Sequence, residues 1–224
     1  KYKKVIVLED DLLISKDFFI YMNQSLNNYQ KYNKVLSISG FNHSRYSNFL
    51  NTNYKYDNFF HLRPCSWGWA TWNDRWKLYN KKISLKNIKK NEFEIKKKLG
   101  FDVYKSLIDI NQKKQSLWAA NWCYAALKND KYTSYPKLSK ISNIGFDGSG
   151  QGGYSQSFKN KFSNIKKKFF LSNKVYQNNY DSKIFLDYFV GNIHLNILKS
   201  IIPHKLKKII KYQYHLLKNI TKHG

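Results

Sequence analysis

The run "VIVLEDDLLIS", Val5 to Ser15, limits the possible folds more than any other part of this sequence. Val5 to Leu8 is short, continuously apolar and β-branched, the pattern of a strand buried on both faces. Ser15 is placed to cap a helix through about Tyr29, because Phe18, Met22, Leu26 and Tyr29 recur at helical spacing. A second strand follows in "KVLSISG", which ends at Gly40. Strand, helix, strand predicts a βαβ unit and with it a parallel sheet. In open sheets of that kind, ligands bind beyond the carboxyl ends of the strands. Glu9, Asp10 and Asp11 stand at such an end.

Composition makes that position unusual. The chain has 14 acidic residues against 40 Lys and Arg, a formal charge of +26. Three adjacent carboxylates repel one another, so they need a cation or must shift their pKa values. Oxygen ligands beside a diphosphate suit Mg²⁺ or Mn²⁺, which would neutralise charge developing on a departing diphosphate. A second reading is an acidic start to the following helix, favoured by the helix dipole.

Elsewhere the charge is ambiguous. A large positive excess suits nucleic acid or an anionic membrane. Here nearly all of it is Lys, alongside abundant Asn, Tyr, Ile and Phe, as an A/T-rich gene would produce. The three arginines, Arg45, Arg63 and Arg75, lie in the first third. Lysine replaces arginine poorly where a rigid fork must grip a phosphate or carboxylate. Cys65 and Cys123 are far apart and lack metal-ligand spacing, which suits a reducing cytoplasm. No apolar run has the length of a membrane span. The sequence opens at Lys1 almost directly on a strand, which reads as a fragment lacking its upstream part.

Three further stretches carry chemistry. "RPCSWGWATWNDRW" gathers Trp67, Trp69, Trp72 and Trp76 around Gly68. Flat faces with a polar edge suit a sugar, and buried core is the commonplace alternative. "NIGFDGSGQGG" is neither a Rossmann fingerprint nor a P-loop; it reads as a lid over ligand or as a surface loop. The tail 199–224 places Leu206, Ile209, Ile210, Leu216, Leu217 and Ile220 at helical spacing among lysines. Such a helix lies on an anionic membrane or packs on the domain. Residues 41–63 read as a polar loop region, 78–115 as partly helical, and "SLWAANWCYAALKND" as a helix with Trp118, Trp122 and Ala125 or Ala126 on one face. His43 and His61 lack ligand spacing and read as satisfied or surface histidines.

Taken in order, "VIVLEDDLLISKDFFIYM", "VLSISGFN", "SWGWATW" and "NIGFDGSG" resemble bacterial glycosyltransferases related to the N-acetylglucosaminyltransferase I family, from Lys1 to about Gly153. The resemblance implies a GT-A fold and inversion at the anomeric carbon. It places Mn²⁺ (or Mg²⁺) on Asp11 and the nucleotide against Glu9 and Asp10, and it brings Gly148 and Ser149 over the donor diphosphate. The family's aspartate base falls in "LWAANW", where Ala120 or Asn121 stands and neither can act; Asp147 is a substitute.

The resulting expectation is an α/β chain with a mixed, mainly parallel sheet of GT-A (Rossmann-like) type, flanking helices and its N-terminal strands missing. Residues 1–155 form the transferase domain and 156–224 a basic, partly helical extension. Asp11 holds metal, Glu9, Asp10, Gly148 and Ser149 the nucleotide-sugar donor, and Arg63, Trp67, Gly68 and Trp69 the sugar or acceptor, a glycan or lipid-linked glycan. The expected location is cytoplasmic, at the inner face of the membrane, with no specific nucleic acid. A basic nucleic-acid or membrane module, or an inactive transferase fragment, is the alternative.

Overall fold

The computed structural model describes residues 2–50, 54–114, 117–146, 158–162, 165–176 and 179–190. Along the chain lie β1 (Lys4–Val7), β2 (Leu12–Ile14), α1 (Phe18–Tyr29), β3 (Val35–Ser39), α2 (Ser44–Phe49), β4 (Asn58–His61), β5 (Trp69–Trp72) and α3 (Asn73–Trp76). They are followed by α4 (Leu85–Lys90), α5 (Glu92–Lys98), α6 (Phe101–Asn111), α7 (Trp118–Lys128), β6 (Tyr132–Pro136), β7 (Ile141–Asn143) and α8 (Asn179–Val190).

Among the described residues five strands form one sheet in the order β1-β5-β3-β6-β4, and β2 pairs with β7 in a separate ribbon. The chain is therefore α/β with a mixed sheet. The expectation of a mainly parallel sheet needs correction, since among the described residues only β3 and β6 pair in parallel while β1–β5, β3–β5 and β4–β6 are antiparallel. A βαβ pattern fixes the relative direction of two strands and leaves their adjacency open. β1 and β3 do run the same way, but β5 returns between them. β1 is also less covered than its apolar run suggests, because it lies at the end of the sheet order with Lys4 and Val5 exposed.

Helix α1 buries Phe18, Tyr21, Met22, Ser25, Leu26 and Tyr29, a stripe repeating every three or four residues. Its cap differs from the expected Ser15. Asp17 holds that position, with its carboxylate turned away to Lys140 Nζ at 2.8 Å, and Ser15 Oγ donates to Asp17 at 2.6 Å. The central strand β3 is buried throughout. Val35 and Ile38 join the α1 cluster, whereas Leu36 joins Trp122, Ala125 and Ala126 of α7 on the opposite face. In β5, Ala70 and Trp72 face α1 and Trp69 faces α7, the two-residue alternation of a strand.

The described parts of 41–63 hold more regular structure than their polarity suggests, namely α2 and β4. Asn58 explains how a polar residue sits in a buried strand. Its amide donates to Tyr29 Oη and Ser134 Oγ, both at 2.8 Å, and its carbonyl accepts from Ser172 N at 2.8 Å. Beyond residue 156, Phe169, Leu171, Phe185 and Leu186 are buried against the same body. The glycine-rich run from Asp147 and the tail 199–224 lie outside the described residues.

Candidate functional site

The carboxyl ends of β1, β3 and β6 open on one edge of the sheet, where β5 also begins. Gly40 N donates to Gly68 O at 2.7 Å and ties two of these ends together. Gly68 has φ +56°, and a Cβ there would lie 2.6 Å from Ile141. Backbone conformation and crowding both require glycine.

Glu9, Asp10 and Asp11 occupy the turn between β1 and β2 at this edge. Helix α1 begins only at Phe18 and has no acidic residue in its first turn, so the acids do not serve as a charged helix start. Asp10 is exposed and Glu9 half-buried. Burial, with the charges of Asp11 and Asp10, pushes the Glu9 carboxyl up to about 7. Asp11 is tied to the second ribbon, since its carbonyl accepts from Ile144 N at 3.0 Å. Its Oδ2 lies so close to Gly145 that an added Cβ would stand 2.2 Å away. Its Oδ1 is buried and has no hydrogen-bond partner among the described residues. A buried carboxylate oxygen left without a donor is costly unless a proton or cation is supplied.

Among the described residues, no three His, Cys, Asp or Glu side chains come together as a ready-made metal cage. One or two carboxylates completed by water and substrate phosphates is how Mg²⁺ is commonly held at phosphate sites. Asp11 fits that use.

Beside the acids lies a cavity of about 300 Å³ lined by Arg63, Cys65, Trp67, Asp102, Phe146 and Phe158 among others. Phe146 links the two places, because it lines the cavity and its neighbour Gly145 lies against the Asp11 carboxylate. Trp67 is half-buried and meets Phe41, Phe158 and Phe146 edge-on, with centroids 4.8, 5.0 and 5.6 Å away. Trp69 is different. At 4% exposure it packs among Trp76, Trp118 and Trp122, so its expected place at a sugar site gives way to the core.

The arginine forks grip carboxylates of the protein itself. Arg63 Nη1 and Nη2 donate to Asp102 Oδ1 and Oδ2 at 2.8 and 2.7 Å, and Nη1 also donates to Leu99 O at 2.6 Å. Arg75 binds Asp74 and Gln30 O and lies over the Trp72 ring. Arg63 therefore borders the cavity as half of an ion pair. Its partner Asp102 escaped sequence reasoning, because nothing in "GFDVYKSL" distinguishes an acid at a helix start from one that lines a cavity. Ala120 also lines the cavity, whereas the Asn121 amide is turned to Lys81 O at 3.0 Å. His43 and His61 are buried and satisfied, accepting from Arg45 N at 3.2 Å and Arg63 N at 2.9 Å. Asp147, Gly148 and Ser149 lie outside the described residues.

No protein-family model matches this chain, and no curated protein matches it.

Proposed function

We propose that this chain is the acid-bearing part of a GT-A-type glycosyltransferase that moves a sugar from a nucleotide donor to a glycan or lipid-linked glycan acceptor. The observation that carries this reading is Asp11, with one buried oxygen lacking a partner among the described residues, set against Gly145 at the edge where the strands end. A bound Mn²⁺ or Mg²⁺ would supply positive charge opposite the departing diphosphate. Asp11 would hold that ion, and Glu9 and Asp10 would lie against the donor.

The chemistry is a single displacement. An acceptor hydroxyl oxygen attacks the anomeric carbon as the bond to the diphosphate oxygen breaks, which inverts that carbon. The hydroxyl proton must pass to a base. Ala120 and Asn121 cannot take it, and Asp147 is the candidate. The cavity walled by Trp67 is where the acceptor would enter. A location at the inner face of the membrane, through residues 199–224, belongs to the same proposal. Among the described residues no helix is long and apolar enough to cross a membrane.

Titration of nucleotide sugars by calorimetry, with Mn²⁺ and with EDTA, tests the assignment. The wild type should bind a donor only with the metal, and Asp11→Asn should lose most of that binding. Equal affinity with Mn²⁺ and with EDTA would overturn it.

A further inference from the structure

We infer that the cavity beside the acids selects an uncharged sugar ring, read through the Asp102 carboxylate and the face of Trp67. Calling that sugar the acceptor rests on the transferase reading; its binding does not.

Size comes first. At roughly 30 Å³ per water, a cavity of about 300 Å³ holds about ten waters, the room of one monosaccharide with its substituents. The lining then specifies chemistry. Trp67, Phe146 and Phe158 give an aromatic wall suited to the C–H face of a pyranose. Among the described residues, the only formal charges on the lining are Arg63 and Asp102, and they cancel in the two-point pair.

Accessibility within that pair decides what a ligand meets. The Arg63 side chain is 13% exposed and the Asp102 side chain 46%. The carboxylate is therefore the more accessible half of the pair. The Asp102 carboxylate accepts two N–H from Arg63 and is also approached by the backbone N–H groups of Asp102 and Val103, so a further donor reaches it on its exposed side. A sugar hydroxyl supplies such a donor, whereas a sugar carboxylate, sulfate or phosphate meets like charge. The pocket's preference thus runs against the +26 of the whole chain, which by itself would favour anionic partners.

The test reads binding without nucleotide or metal, so its result is independent of transfer activity. Methyl glycosides of glucose, galactose and N-acetylglucosamine serve as neutral probes and methyl glucuronide as the anionic one, followed by NMR shifts of the Trp67 indole. At least one neutral glycoside should saturate, at least about tenfold tighter than the glucuronide. Trp67→Ala should weaken it about tenfold. Asp102→Asn should reduce the neutral-over-anionic preference by about tenfold or more, because it bares the Arg63 charge. If that variant fails to fold, the double variant Arg63→Met, Asp102→Leu removes both charges and should still lose the neutral sugar. Tighter binding of the glucuronide, no saturable glycoside, or full binding by Trp67→Ala or the double variant would each overturn the inference. Saturable neutral binding in a protein that shows no Mn²⁺-dependent donor binding would retain it and discard the transferase reading instead.

Discussion

Gly145 separates a structural from a functional role more cleanly than any other residue. Its hydrogen atom is what allows the Asp11 carboxylate to lie against the backbone. Gly145→Ala should force that short side chain to turn away. Stability should fall by about 1 kcal/mol or less, since the carboxylate can rotate towards solvent, while Mn²⁺-dependent donor binding disappears. Denaturant melts beside the calorimetry check both halves, and retained binding would count against Asp11. The tryptophans allow a second separation. Trp69→Ala should cost about 3–5 kcal/mol as a core truncation, and Trp67→Ala clearly less. The sequence placed both rings in one candidate cluster because burial is invisible in a run that alternates W-G-W. Trp67 and Trp69 stand two apart and share a face by strand periodicity. Only Trp69 is inside β5, however, and Gly68 turns the chain just before it. The acids were legible because an apolar strand that runs straight into three carboxylates puts strong mutual repulsion at a strand end, where ligands gather. Asp102 was not, because its partner Arg63 lies 39 residues away and neither has a local signature.

At the scale of elements, periodicity located α1, β3 and α7 well, and it failed where pairing depends on distant chain. β5 could not be placed between β1 and β3 from its own four residues. α8 shows what such distant contacts do. Its Phe185 ring stacks on His61 with centroids 4.0 Å apart, and Ser182 Oγ lies 3.3 Å from His61 Nε2. Burial, helped by the nearby Arg63 charge, holds His61 well below the ordinary histidine range. The unfolded chain takes up this proton near pH 6.5 and the folded chain only well below that. The contribution is therefore present above about pH 6.5 and is lost as pH falls towards the folded value. Urea melts between pH 8 and 5 should show stability falling with acid, and His61→Gln should flatten that slope. An unchanged slope would mean that other groups carry it. α8 should also be the first element to exchange its amide hydrogens as the pH drops, because His61 is one of its principal contacts.

For the whole molecule, the positive charge and the open side of the sheet belong together. β1 has a ladder partner on one side only among the described residues, and Val5 is 49% exposed there. A row of unpaired amides and carbonyls beside an apolar side chain invites another extended segment to pair with it. Lys3 and Lys4 at that border, within a chain of charge +26, keep copies apart by simple repulsion. Repulsion of that kind has a range of about 10 Å at 0.1 M salt and about 3 Å at 1 M. The colloidal behaviour of the protein should therefore invert the usual advice for basic proteins. Light scattering should rise as salt is added, Val5→Lys should delay the rise, and the most dilute buffer should keep the chain dispersed longest.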